Sequence, residues 1–192
     1  MVNADEKIPL SWSRDGRYLL YRTTGPNTGR DLWALPMVGE PKPFPVVRTN
    51  FDEEEGQISP DGNWLAYGST ESGRLEIYVD SFPKGRERIR ISTEGGSQVR
   101  WAPDGRELYY ITPDGHLMAV TFARGHDTQS LKVGAPQMLF QTRLATGANA
   151  SGVKPQYAVA SDGRFLMDIR VDEAHPAPLT IVLNGLEALV RR

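Results

Sequence analysis

The chain holds 192 residues, 39% apolar and 24% charged, with a formal net charge of -2. So even a balance gives no electrostatic ground for a nucleic-acid partner, and the absence of cysteine excludes disulfides, thiolate metal sites and cysteine nucleophiles. No apolar run reaches about 18 residues, so no membrane span is expected; the opening Met1-Val2-Asn3-Ala4-Asp5-Glu6-Lys7 lacks the basic and apolar regions of a secretory signal, which assigns the chain as encoded to the cytoplasm.

In chain order, short apolar runs alternate with Gly- and Pro-containing turns, the pattern of an all-β protein. The first group is Leu10-Ser11-Trp12, Tyr18-Leu19-Leu20-Tyr21, Leu32-Trp33-Ala34-Leu35 and Pro43-Phe44-Pro45-Val46-Val47, whose two prolines mark an edge strand. The second is Gln57-Ile58-Ser59, Trp64-Leu65-Ala66-Tyr67, Leu75-Glu76-Ile77-Tyr78-Val79 and the alternating Arg88-Ile89-Arg90-Ile91, a strand with one wet face. The third is Gln98-Val99-Arg100-Trp101, Leu108-Tyr109-Tyr110-Ile111, Leu117 to Phe122 and Gln137-Met138-Leu139-Phe140, with Ala123 to Val133 read as a polar loop. The fourth is Gln156-Tyr157-Ala158-Val159, Phe165 to Ile169 and Leu179 to Leu183; the small residues Ala145 to Gly152 precede it, and the tail Gly185 to Arg192 suits either a helix or a strand.

Each group is announced by one phrase: an apolar strand, then Ser or Ala, one residue, Asp-Gly, then a second strand. The aspartates are Asp15, Asp61, Asp104 and Asp162, spaced by 46, 43 and 58 residues. A period in the low forties with this content is the signature of β-propeller blades. The expected architecture is a single all-β domain over residues 1–192, with four four-stranded blades at about 8–50, 56–93, 97–142 and 155–192. Repetition at every blade assigns the Asp-Gly carboxylates to turn chemistry. The aromatics in or beside the turns, Trp12, Trp64, Trp101 and Phe165, are expected as core or wedge residues rather than a ligand box.

The phrase Ser59-Pro60-Asp61-Gly62 with Leu65-Ala66-Tyr67, followed by Ile77-Tyr78-Val79, resembles the WD-like repeats of TolB-type propellers. Phe82-Pro83, Ser92-Thr93-Glu94-Gly95-Gly96, Arg100-Trp101, Glu107-Leu108-Tyr109-Tyr110, Gly134-Ala135-Pro136, Leu139-Phe140 and Ala177 to Asn184 resemble one bacterial group, the C-terminal propellers of membrane-bound serine/threonine protein kinases. That resemblance spans nearly the whole chain. It implies a non-catalytic sensor or scaffold on an extracytoplasmic face and brings no catalytic residues with it. The kinase domain and membrane segment of that group are not in this sequence.

Four blades in an open arc leave sheet edges and apolar faces uncovered. A homo-oligomer is therefore expected, most simply a dimer completing a ring, with a protein or small-molecule ligand at the channel mouth. The densest carboxylate cluster, Asp52-Glu53-Glu54-Glu55, precedes the innermost strand of the second blade and is expected on a connection at that mouth. Hard oxygen donors near an axis suit Ca2+, with Glu54 and Glu55 as ligands and Asp52 or Glu94 assisting; a solvated acidic loop is the plainer alternative. A bound Ca2+ would polarise a carbonyl and acidify water, so a metal-dependent lactone or ester hydrolase stands as the alternative to an interaction module. His116, His126 and His175 are isolated, and no Gly-x-Ser-x-Gly elbow surrounds Ser97 or Ser151.

Overall fold

In the computed structural model, residues 6–25, 27–124, 131–144, 155–170 and 181–182 are described. All regular structure among them is β, in four antiparallel sheets of successive strands. Contacts group the chain into two compact units, Met1–Gly95 and Gly96–Arg192.

The first unit holds two sheets. One runs β1 (Lys7–Trp12), β2 (Tyr18–Gly25), β3 (Gly29–Pro36) and β4 (Phe44–Val47) in sequence order. The other runs β5 (Glu53–Ile58), β6 (Trp64–Ser69), β7 (Glu76–Ser81) and the two-residue β8 (Ile89–Arg90). Between them lies an apolar cluster of Leu20, Leu32, Ala34 and Val47 from the first sheet and Ile58, Leu65, Tyr67, Tyr78 and Phe82 from the second. Leu20, Leu32, Leu65 and Tyr67 are fully buried there. Gly56 lets β5 lie close to the first sheet, since a Cβ there would approach Leu20 Cδ2 to 2.6 Å.

In the second unit, β9 (Ser97–Trp101), β10 (Glu107–Ile111) and β11 (His116–Arg124) form a sheet in which β12 (Leu131–Val133) and β13 (Gln137–Gln141) both pair with β11. The polar loop expected over Ala123 to Val133 is thus corrected at both ends. Phe122 and Val133 pair across the strands, as do Arg124 and Leu131, and pairing overrides the polar composition. The last sheet is β14 (Tyr157–Val159), β15 (Phe165–Met167) and β16 (Ile181–Val182). Tyr157, Phe165 and Met167 share a core cluster with Tyr109, Ile111, Leu117 and Leu139. Phe165 meets Tyr109 edge-on, ring centres 5.0 Å apart. Residues 145–152 and 185–192 lie outside the described residues, as do His126, Ser151 and His175.

The Asp-Gly phrases close as predicted. Asp61 Oδ1 accepts the Ser59 hydroxyl at 2.6 Å and the Asn63 backbone N–H at 3.1 Å, while Ser59 Oγ accepts the Trp64 N–H at 3.0 Å. Gly62 sits at φ 75°, a left-handed conformation that glycine adopts without strain. Asp15, Asp104 and Asp162 each accept the backbone N–H two residues on. The fourth turn is one residue tighter. Ile58 pairs with Leu65 and Trp101 with Leu108, but Val159 pairs with Phe165. A one-residue change of register turns every following side chain to the other face. Phe165 therefore stands in the place of Leu65 rather than Trp64, and Leu166 in the place of Leu20. Of the four turn aromatics Trp64, Trp101 and Phe165 are buried, whereas Trp12 is 58% exposed.

Candidate functional site

The acidic run is strand, not connection. Glu53, Glu54 and Glu55 open β5, where the pairing with β6 is interrupted by a bulge between Glu54 and Gln57. The expectation of a connection failed because Glu53 and Glu54 pair with Ser69 and Gly68 of β6, and Arg30 of β3 and Thr49 supply partners for their carboxylates. Asp52, just before it, braces two hairpins. Its Oδ1 accepts the Arg30 backbone N–H at 3.0 Å, and its own N–H donates to Thr70 Oγ1 at 3.0 Å. Gly29 packs so tightly here that a Cβ would come within 2.6 Å of Asp52 Oδ1.

Glu54 is buried and forms an ion pair and hydrogen bond with Arg30 through Oε1. Glu55 adopts φ 59° at the bulge. Arg22 feels Glu55, Asp52 and Glu6, yet its pKa is lowered by burial above all and by neighbouring Arg30 next. Glu53 was not singled out from the sequence and is the most unusual member. It is fully buried, and Thr49 Oγ1 donates to its Oε1 at 2.5 Å. Burial foremost, with the charge of Asp31, raises its carboxyl to about 7, while the Thr49 hydroxyl and Arg88 act the other way. Asp31, itself buried, accepts the Thr28 hydroxyl at 2.7 Å and lies 3.7 Å from Arg48 Nε.

Glu94 is exposed in the following connection. That connection is held instead by Glu76. Its Oε1 faces Arg74 Nε at 3.0 Å and Arg90 NH2 at 2.8 Å, and its Oε2 accepts the Ser92 hydroxyl and the Gly95 N–H, the latter at 3.0 Å. Arg88, read from the sequence as part of a wet face, lies over the Tyr78 ring 4.4 Å from its centre and pairs with Glu71 at 2.6 Å. Among the described residues no three His, Asp or Glu side chains are grouped to hold a metal ion. His116 Nδ1 lies 3.0 Å from Asp114 in a turn that repeats the Asp-Gly geometry.

The sheets, their order and these turns decide the fold against known structures. TolB from Acinetobacter baumannii superposes with a TM-score of 0.59 at 14% identity, over 92% of this chain and 40% of that one. The fold is that of a TolB-type β-propeller. The β-propeller domain of Cps50 from Myceliophteria thermophila superposes with a TM-score of 0.54 at 15% identity, over 92% of this chain and 56% of that one. Enzymes stand among the solved neighbours as well, so the TolB-type fold by itself leaves the activity open. An uncharacterized protein of Agrobacterium fabrum is 32% identical over 104 residues, 52% of this chain. The chain spans only 33% of that relative's length. No family model matches the sequence. No helix among the described residues is long and apolar enough to cross a membrane.

Proposed function

We propose that the chain is a non-enzymatic β-propeller module, residues 1–192 forming one domain of four blades, that binds a partner and does no chemistry. The observation that supports this is how the carboxylates at the β5 end are employed. Asp52 braces hairpins, Glu54 neutralises Arg30, and Glu76 gathers four donors. A carboxylate already bound to an arginine and to backbone N–H groups is a poor ligand for Ca2+, because every contact to the ion must displace one of these. The resemblance to kinase-attached propellers favours a sensor or scaffold in the same way and rests on the sequence phrases. The first partner inferred is a second copy of the chain; a protein or small molecule at the mouth is the second.

The test is a turnover panel of esters, lactones and peptides, run with chelator and with added calcium, beside thermal melts with calcium. The expected result is no turnover and no calcium-induced stabilisation. Lactone or ester hydrolysis that disappears in chelator, returns with calcium and is lost in Glu54→Gln with Glu55→Gln would overturn the proposal in favour of a metal-dependent hydrolase.

A further inference from the structure

We infer that the Asp104-Gly105 turn is a site of spontaneous covalent modification, where aspartate converts to isoaspartate ahead of the other Asp-Gly turns of the chain.

The reaction needs only the turn and water. The Gly105 backbone nitrogen attacks Asp104 Cγ and forms an N–Cγ bond; the Cγ–OH bond breaks, and water leaves with the amide proton. Water then opens the imide ring at the α-carbonyl and cuts the C–N bond between Asp104 and Gly105. The main chain now runs through Asp104 Cγ, one methylene longer, and the α-carboxyl is free. Glycine favours the attack because no Cβ shields its nitrogen. A neutral carboxyl gives up its oxygen as water far more readily than a carboxylate does. A donor that keeps the carboxylate ionised and in one orientation therefore slows the step.

Asp-Gly occurs at Asp15, Asp61, Asp104, Asp114 and Asp162. The turns at Asp15 and Asp104 form a matched pair. Gly16 lies at φ 75° and Gly105 at φ 74°. The Gly16 N–H donates to the Ser13 carbonyl and the Gly105 N–H to the Ala102 carbonyl, both at 2.9 Å. Each aspartate Oδ1 accepts an arginine backbone N–H at 3.0 Å, from Arg17 and from Arg106. The arginine side chains stand off at 3.8 and 4.0 Å.

One hydroxyl separates the two. Ser13 Oγ donates to Asp15 Oδ1 at 2.6 Å. That bond, ahead of the Arg17 N–H, holds the Asp15 carboxyl below its ordinary value. Ala102 has no hydroxyl to offer. The remaining aspartates are also held by side chains: Asp61 by Ser59 and Asn63, Asp114 by Thr112 and His116, and Asp162 by Arg164 Nε at 2.6 Å. Among the described residues no hydroxyl donates to Asp104, and its side chain is 61% exposed.

Ageing the whole chain in buffer made with heavy-oxygen water tests this. Ring opening leaves one heavy oxygen in each turn that has reacted, and mass spectrometry of the digested chain locates it. Label at Asp104 is expected to accumulate several-fold faster than at Asp15, Asp61, Asp114 or Asp162, with an isoaspartyl peptide eluting apart from its aspartyl twin. Exchanging the hydroxyl isolates the cause. Ala102→Ser should slow Asp104 to the rate of Asp15, and Ser13→Ala should bring Asp15 up to the rate of Asp104. Both positions are buried, and the structure already holds serine in one and alanine in the other, so circular dichroism is expected to stay unchanged. Should Ala102→Ser not fold, Ser13→Ala decides alone. In urea the turn bonds are gone and the rates should draw together. Equal rates at Asp15 and Asp104 in the folded chain, or rates indifferent to the exchanged hydroxyl, overturn the site. A lead for Asp104 that persists undiminished in urea overturns it too, because the cause would then be the neighbouring letters and not the turn.

Discussion

The Gln98 side-chain oxygen accepts the backbone N–H of Gln156 at 2.9 Å, and the two residues occupy the same place in successive repeats. Gln98 is held at φ 56°, and Glu55, its counterpart one repeat earlier, at φ 59°. Both lie where the first strand of a sheet departs from regular pairing with the second. At Gln98 the bulge holds a side chain whose oxygen reaches the first strand of the next sheet.

The left-handed backbone at Glu55 separates two substitutions that lose the same carboxylate. A non-glycine residue there carries a strain of about 1 kcal/mol that glycine does not. Glu55→Gly is expected to be about 1 kcal/mol more stable than Glu55→Ala in urea melts. The same order is expected for Gln98→Gly over Gln98→Ala, with both below wild type because a buried N–H loses an acceptor. Equal stabilities of the glycine and alanine variants would refute the strain.

Glu76 makes a sharper prediction. It is 0% exposed and its two oxygens meet Arg74, Arg90, Ser92 and Gly95. Without it the half-exposed Arg74 and Arg90 turn to water, but the buried Ser92 hydroxyl and Gly95 N–H lose their acceptor at a cost of about 1–3 kcal/mol. Glu76→Ala should fall in that range by chemical denaturation and should expose the 92–95 connection to rapid amide exchange. A loss below about 1 kcal/mol would show that solvent already carries these donors.

The turns and the sheets were legible because their signals are local. Asp-Gly with a preceding Ser specifies its own hydrogen bonds within five residues, and alternation needs only one strand at a time. Three features were not. Three consecutive glutamates read as a wet loop, because their burial depends on Arg30 and Thr49, which the spacing does not connect to them. The fourth turn has the letters of the others, Ser161-Asp162-Gly163-Arg164, yet closes one residue sooner. Trp12 reads as a core or wedge residue, as Ile58 and Trp101, which hold its place in the next two repeats, are buried, yet it is 58% exposed, and the repeat phrase carries no signal for that difference.

The Ser of the turn phrase is itself testable. Ser59 Oγ donates to Asp61 and accepts from the buried Trp64 N–H, whereas the third turn closes with Ala102 and no such bridge. Ser59→Ala should cost about 1 kcal/mol, the usual worth of a hydrogen bond in a turn, without unfolding the sheet. Thermal melts on Ser59→Ala and Ser13→Ala should agree, as Ser13 makes the same pair of bonds to Asp15 and Tyr18. A neutral effect at both sites would assign turn closure to Asp and Gly alone.

Glu53 links stability to pH in a direction opposite to that of most carboxylates. Burial, with the charge of Asp31 adding to it, raises it from an ordinary 4.5 to about 7 in the folded chain. Below about 4.5 the group is neutral in both folded and unfolded chains and contributes nothing. As pH rises from 4.5 towards 7 the unfolded chain ionises first, so stability is lost across that window and stays lost above it. Glutamine keeps the acceptor for Thr49 without the charge. Glu53→Gln should therefore match the wild type at pH 4 and exceed it by about 3 kcal/mol at pH 8, an order of magnitude that follows from about 1.4 kcal/mol per unit of raised pKa. The readout is the difference between variant and wild type in urea melts at the two pH values, which cancels every other titrating group. A difference that does not grow with pH would mean that Glu53 is solvated in the native state, and the buried acidic pair with Asp31 would have to be abandoned.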